Sequence, residues 1–273
     1  MSTAAVSSAA KGDRAPLVAA GLLAALLIGA ALAPTLAPYA MDALDLANRR
    51  GAPSLMHWFG TDELGRDLLT RVLYGARVSL AIGLISALVS AAIGAAVGSI
   101  AGYAGRWADD VLMRITDAML AIPRLPLLMI TAAVLQPSVA LLVILVGLAG
   151  WMETARVVRA EVLSLAARDF VSAARAMGAS PVRVVLRHVL PGVLPAAAVA
   201  TTLAVGRGIL LESALSFFGV GVQPPTASWG NMLYQAQTTM TSEPWLAIFP
   251  GLMIFLTVLA CNAVGDAIGS ARS

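Results

Sequence analysis

Residues 169–191 read DFVSAARAMGASPVRVVLRHVLP, a polar and basic stretch in a chain that is 59% hydrophobic. The stretch separates two long apolar runs, so it must lie in water at one face of a membrane. Residues 171–177 favour a helix, Gly178 permits a left-handed turn, and Ser180-Pro181 is typical of a helix start. We therefore predict a helix, a sharp bend and a second helix in this segment, called the 169–191 loop below.

The composition of the whole chain is that of a polytopic membrane protein. Mean hydropathy is +0.85, and only 12% of the residues are charged. The formal charge of +3 comes from 18 basic and 15 acidic residues that are spread along the chain, so no nucleic-acid partner is expected. The sequence therefore predicts an all-α protein whose helices cross a lipid bilayer.

Few residues of this chain are suited to chemistry. Cys261 is the only cysteine and lies in an apolar run, so a buried thiol without an intrachain disulfide is expected. His57 and His188 stand far apart without the spacing of metal ligands. Lys11, the only lysine, is followed by Gly12, so a Walker A loop for ATP is absent. No metal or cofactor is expected on this chain.

Six apolar runs are predicted to be membrane helices. They cover residues 16–37, 78–103, 118–135, 139–151, 193–218 and 246–263. The tails, 1–15 and 269–273, are predicted to be cytoplasmic, because basic residues precede the first run and an even number of spans returns the chain to the same side. Six arginines between residues 156 and 187 place the 169–191 loop on that side too. The first run also resembles a signal peptide, but its length favours a retained helix.

Residues 38–77 form the longest polar excursion and are predicted to lie outside the cell. The excursion contains five acidic residues and five arginines. From Leu68 onward Leu and Val recur at helical spacing with arginines on the other face, which predicts an amphipathic helix at the membrane interface. A solvated loop with ordinary surface charges is the alternative.

The second span carries a stripe of small residues at four-residue spacing. The stripe consists of Ser86, Ser90, Gly94, Gly98 and Gly102. Small residues on one helix face let another helix approach closely in lipid. We therefore predict that this stripe packs against a helix of this chain or of a partner.

Arg207 and Glu212 are ionisable residues inside the fifth predicted span. Such residues are costly at membrane depth unless they are paired or wetted, so they are candidates for a translocation pathway or for a polar lock between helices. They are five residues apart and point about 140° away from each other on one helix, so a direct pair is not expected.

Three segments together resemble one protein family. The 169–191 loop, with AA at 173–174, Gly178 and LP at 190–191, is similar to the EAA loop of permease subunits in bacterial ATP-binding-cassette importers. Ser172 stands where that pattern has Glu, and His188 where it has Ile. FGTDELGRD at 59–67 with YGAR at 74–77, and ESALSFFGVGVQPPTASWG at 212–230, closely resemble the OppC/DppC-type permeases of oligopeptide and dipeptide importers.

This resemblance implies a non-catalytic permease subunit with six transmembrane helices and the MetI-like type I fold, whose core spans residues 78–268, in a bacterial plasma membrane. Its partners would be a second permease subunit, two ATPase subunits that bind ATP and Mg, an external substrate-binding protein and a peptide cargo. The residues that would couple to the ATPases are Ser172, Ala173, Ala174, Gly178, Ala179, Ser180 and Pro181. Those on the external, binding-protein side would be Asp62, Arg66, Asp67 and Trp229.

Two alternatives stay open at this point. Related permeases carry nickel chelates, glutathione-like thiols, opines or heme-like cargo, so the cargo need not be a di- or oligopeptide. A stand-alone secondary transporter or channel is the competing class. Such a protein would need no docking partner for the 169–191 loop, and often shows repeated halves, a filter sequence or a ring of acids.

Overall fold

The computed structural model describes residues 15–136 and 138–270, and their regular secondary structure is helical, as predicted. The main helices are α1 (Ala15–Ala31), α2 (Leu68–Tyr103), α3 (Arg106–Ala121), α4 (Arg124–Leu135), α5 (Val139–Ala166), α6 (Asp169–Ala176), α7 (Pro181–Val184), α8 (Leu190–Phe217), α9 (Trp229–Ala236) and α10 (Trp245–Ser270). A π-helical turn, Val185–Val189, joins α7 to α8. Of the predicted tails, residues 1–14 and 271–273 lie outside the described residues, as does Pro137 in the turn between α4 and α5.

Among the described residues, four helices are long and apolar enough to cross a membrane by themselves. They are α2, α5, the continuous helix Pro181–Phe217 and α10. The pair α3 and α4 makes a fifth candidate, although its two parts are bent by 80°. Helix α1 is apolar, but its 17 described residues are fewer than the roughly 20 that usually span the hydrocarbon core of a bilayer. By length and composition, residues 15–136 and 138–270 thus contain four or five candidate spans, against six predicted.

Several predicted boundaries were wrong. Residues 68–77 form the first turns of the 36-residue helix α2, not a separate interfacial helix. The predicted span 139–151 continues to Ala166, because apolar residues beyond its charged positions, among them Val158 and Val162, still pack in the core. The predicted fifth and sixth spans are likewise longer, as α8 and α10.

Pro123 explains why the predicted span 118–135 is divided. Ile122, the residue before it, has extended backbone angles, and a residue before proline is pushed away from the helical region. Helix α3 therefore ends at Ala121, and α4 starts again at Arg124 with Pro126 in its first turn, where a missing N–H does no harm. The bend expected from these prolines is present, but at the division between two helices.

The stripe of small residues packs along α5, as predicted. A Cβ atom placed on Gly94 would lie 2.7 Å from the carbonyl oxygen of Trp151, and one on Gly98 would lie 2.5 Å from that of Ala155. The hydroxyl of Ser90 donates a hydrogen bond of 2.7 Å to the carbonyl oxygen of Gly147. The two backbones therefore approach as closely as only glycine allows.

Helices α7 and α8 and the π-helical turn between them form one continuous helix of 37 residues. Pro191 and Pro195 lie in the first turns of α8, where each removes a backbone donor. A π-helical turn is a common way for a helix to absorb such a disruption. The 169–191 loop is thereby joined to a membrane-length helix without a flexible linker.

Candidate functional site

The 169–191 loop has the predicted form of helix, bend and helix. Helix α6 ends at Ala176, and Gly178 has a φ of +82°, a conformation that glycine adopts readily. The side chain of Ser180 then accepts a hydrogen bond from the backbone N–H of Arg183, and Pro181 occupies the first position of α7. Both features are those of a regular helix start.

The loop rests on a buried apolar base. Val171, Ala174 and Val184 are buried and pack in one cluster with residues of α5 and α8. The guanidinium carbon of Arg175 lies 5.0 Å from the ring centroid of Tyr103, at the end of α2, in cation–π geometry. The bend is therefore supported from three helices and is held in a defined position.

Most of the predicted coupling residues lie on the outer face of this loop. Ser172, Ala173, Gly178, Ser180 and Pro181 are exposed, Ala179 is half-buried, and Ala174 belongs to the buried base. Large apolar side chains flank them, with Met177 81% and Val182 68% exposed. An exposed apolar surface on a rigid, supported bend is suited to contact with another protein.

Glu212 is fully buried at the junction of three helices. Its carboxylate accepts hydrogen bonds from the hydroxyls of Ser79 at 3.0 Å and of Ser216 at 2.8 Å. The Ser79 hydroxyl also accepts a bond of 3.1 Å from the backbone N–H of Trp229. Glu212 therefore ties α8 to α2 and α9. This enclosed position favours the role of a polar lock between helices, and the pathway role stays a prediction.

Replacement of Ser216 by Ala is expected to destabilise the protein by about 1–3 kcal/mol, because it removes the bond to Glu212 and leaves the backbone N–H of Val222 without its acceptor. Thermal unfolding of the purified protein in detergent measures the effect. Ser242→Ala is the control, since Ser242 is exposed and bonds only locally among the described residues. Equal unfolding temperatures for the two variants would contradict the assigned role of Glu212.

Arg207 does not pair with Glu212, as expected from their spacing. It forms an ion pair with Glu153 of α5 instead. The other oxygen of Glu153 accepts a hydrogen bond of 2.7 Å from Arg124, the first residue of α4. Glu153 and Arg124 were not among the predicted site residues, because Glu153 follows the predicted span 139–151 and Arg124 lies near one end of the predicted span 118–135. The signals in the sequence were the prolines that flank Arg124 and the apolar run that leads into Glu153.

The four residues assigned to the external, binding-protein side are buried within this chain, while the side of the membrane on which they lie stays a prediction. Asp62 accepts a hydrogen bond of 2.7 Å from Arg66 and lies 3.4 Å from Arg71. Asp67 caps α2 through a 2.8 Å bond from the backbone N–H of Thr70. These charges point inward, where Asp62 pairs with Arg66 and Arg71 and Asp67 pairs with His57.

Trp229 is fully buried as well. Its indole N–H donates a hydrogen bond of 3.1 Å to the carbonyl oxygen of Val72, which fastens α9 to α2. Cys261 is buried, as predicted. Within residues 15–136 and 138–270, no group of three or more His, Cys, Asp or Glu side chains could hold a metal ion.

Comparison with known proteins identifies relatives along nearly the whole chain. The glutathione transport system permease protein GsiD of Escherichia coli O6:K15:H31 is 42% identical over 256 residues, which cover 93% of this chain and 84% of that protein. GsiD of Shigella dysenteriae serotype 1 is 43% identical over 256 residues, with the same coverage. A protein of Brucella suis biovar 1 that is described as a peptide permease is 40% identical over 261 residues, which cover 95% of this chain and 86% of that protein.

A solved structure shares the fold. A chain of the inward-facing MetNI methionine ABC transporter superposes with a TM-score of 0.63 at 20% sequence identity, covering 76% of this chain and 98% of that chain. At this identity the likeness shows the fold alone. The family model for the binding-protein-dependent transport system inner membrane component matches residues 94–271. This chain therefore belongs to the family of inner membrane components of binding-protein-dependent transport systems.

Proposed function

We propose that this chain is a permease subunit of an ATP-driven importer and that it forms half of the translocation pathway together with a second, similar permease subunit. The observation that carries the proposal is the 169–191 loop. Its exposed bend at Gly178 is fixed by a buried base and continues into a membrane-length helix. Such a rigid connection is what a subunit needs if it is to receive movement from another protein.

The energy would come from two ATPase partners. The sequence of this chain has no Walker A loop, so ATP and Mg would be bound by the partner subunits and the permease itself would be non-catalytic. The outer residues of the 169–191 loop, from Ser172 to Pro181, would dock on these ATPases. An external binding protein would deliver the cargo, in keeping with the family to which the chain belongs.

We place six spans in the bacterial plasma membrane, with both termini in the cytoplasm. Helix α1 has 17 described residues, at the lower limit for a membrane helix, and the bent pair α3 and α4 would make a broken span. These two elements and the four long helices give an even number of crossings. The six arginines between residues 156 and 187 favour a cytoplasmic position for the loop and hence for both ends.

Di- or oligopeptides are the proposed cargo. The relatives support this class, since one is described as a peptide permease and others as permeases for glutathione, which is itself a small peptide. Glutathione is the second candidate for the same reason. Arg207, which is 43% exposed at its side chain within α8, is proposed to line the pathway.

Co-purification from the native membrane tests the proposal. The tagged chain, extracted in mild detergent, is expected to bring with it a second permease and two P-loop ATPases. After reconstitution with the binding protein, this complex should take up labelled peptide only when ATP is present. A chain that purifies alone and exchanges solute in liposomes without ATP would instead be a secondary transporter.

A further inference from the structure

Two arginines and one glutamate meet where three helices converge. Glu153 of α5 uses both carboxylate oxygens, one for Arg124 of α4 and the other for Arg207 of α8. The three side chains are called the arginine pair cluster below. A cavity of about 20 Å³, enough for one water molecule, adjoins them.

The arginine pair cluster lies well inside the spans. Glu153 is 14 residues beyond the start of α5, roughly 21 Å along the helix axis, and Arg207 is 17 residues beyond the start of α8, roughly 26 Å. Charged side chains at such depth are tolerated where they are paired or meet water. The side chains of Arg207 and Glu153 are nonetheless 43% and 35% exposed. Their face is therefore open in the isolated chain, and charged side chains at such depth favour an aqueous neighbour over lipid tails.

The cluster has an excess of positive charge. One carboxylate serves two guanidinium groups, and within the described part of the chain Arg124 and Arg207 have no second acidic partner. The amino end of α4, where Arg124 stands, adds a partial positive charge, since no side chain in the described residues caps it. A guanidinium has five N–H donors in a planar fork, and the contacts to Glu153 leave some of those of each arginine free.

We propose that the arginine pair cluster is a binding site for a carboxylate of the cargo, so that the pathway favours peptides that carry more acidic groups. Glu153 positions the two arginines, and their free N–H groups bind the passing carboxylate in the paired geometry that suits guanidinium and carboxylate. This inference rests on the proposed function as an importer permease.

The test compares uptake of two tripeptides by the reconstituted complex with ATP and the binding protein. Ala-Glu-Ala carries two carboxylates, and Ala-Gln-Ala amide carries none. For each variant, the uptake rate of Ala-Glu-Ala at saturating concentration is divided by that of Ala-Gln-Ala amide. This ratio is then divided by the same ratio for the wild type. Selection by the binding protein cancels in this quotient, because the same binding protein serves every variant.

Substitutions of the two arginines and of the glutamate should shift the ratio in opposite directions. Arg207→Gln and Arg124→Gln are each expected to lower it about tenfold, because each removes a charge that binds the carboxylate. Glu153→Gln should raise it, because the excess positive charge grows. Arg207→Lys, which keeps the charge, should retain most of the wild-type ratio. Arg156→Gln is the control on α5, since Arg156 pairs with Asp117 and not with Glu153. It should leave the ratio unchanged.

A merely structural cluster, or one that pairs with an acid of the second permease, would lose uptake of both peptides equally in all three neutral variants. That result would overturn the site while uptake by the wild type still supported the importer. A shift of the ratio in the same direction for Glu153→Gln and Arg207→Gln would also overturn it. Absence of ATP-driven uptake of both peptides by the wild type would overturn the proposed function itself, and the site with it.

Discussion

Substitution of Gly178 by Val is expected to lower ATP-driven uptake at least tenfold while the chain still inserts in the membrane. Gly178 has a φ of +82°, which a β-branched residue adopts only at a cost of about 1–3 kcal/mol. A Cβ atom there meets nothing within 4 Å in the described structure, so the strain acts on the bend and not on the packing. The bend would open, and the outer residues of the loop would lose their common docking surface. Uptake in proteoliposomes and recovery of the ATPases on the tagged chain measure the effect.

Gly105 provides a matched control for the backbone strain. Its φ is +106°, and a Cβ atom there also meets nothing within 4 Å, but it lies between α2 and α3, outside the 169–191 loop. Gly105→Val should therefore reduce stability without releasing the ATPases. Gly178→Asn should keep more uptake than Gly178→Val, since asparagine tolerates positive φ. Normal uptake by Gly178→Val, or equal loss of the ATPases in both valine variants, would count against the docking role.

Substitution of Gly98 by Leu is expected to prevent the chain from accumulating in the membrane. A Cβ atom on Gly98 would lie 2.5 Å from the carbonyl oxygen of Ala155 and 3.0 Å from the backbone nitrogen of Arg159. Both atoms belong to the backbone of α5 and cannot turn aside, so the two helices would have to separate. We expect a loss of more than about 3 kcal/mol, with Gly98→Ala retaining part of the stability. The amount of folded protein in membranes and its unfolding temperature in detergent measure the effect.

Gly29 is the corresponding control in α1. A Cβ atom there meets nothing within 4 Å, and leucine has a much higher helix propensity than glycine. Gly29→Leu should therefore accumulate at least as well as the wild type. If Gly98→Leu accumulated equally well, the close approach of α2 and α5 would not be required for the fold.

The features that sequence analysis predicted well are those encoded within a few residues. The bend at Gly178 followed from a glycine, a serine and a proline at fixed spacing, and the packing stripe followed from the repeat Ser86, Ser90, Gly94. The absence of a pair between Arg207 and Glu212 followed from helix geometry alone. In each case the physical cause lies within one helix or one turn.

The features that it missed depend on contacts between distant segments. The partner of Arg207 is 54 residues away, and nothing in either segment indicates the other. The charged residues after 151 were taken to end the fourth span. Helix α5 nevertheless continues to Ala166, because Val158 and Val162 pack in the core and Arg159 pairs with Asp109 of α3. The polar segment at 59–67 was assigned to the external side without any prediction of its burial, because the pairing of Asp62 with Arg66 and Arg71 is visible only in the folded chain.

The continuity of α7 and α8 through the π-helical turn has a mechanical consequence. A helix of 37 residues is roughly 55 Å long, so a tilt of about 5° around its loop end moves the other end by about 5 Å. Glu212 lies near that far end and, through Ser79 and Ser216, holds the segment that follows the helix. A tilt of this helix at the Gly178 bend would therefore move the segment that follows the helix, because the buried carboxylate of Glu212 holds the two together.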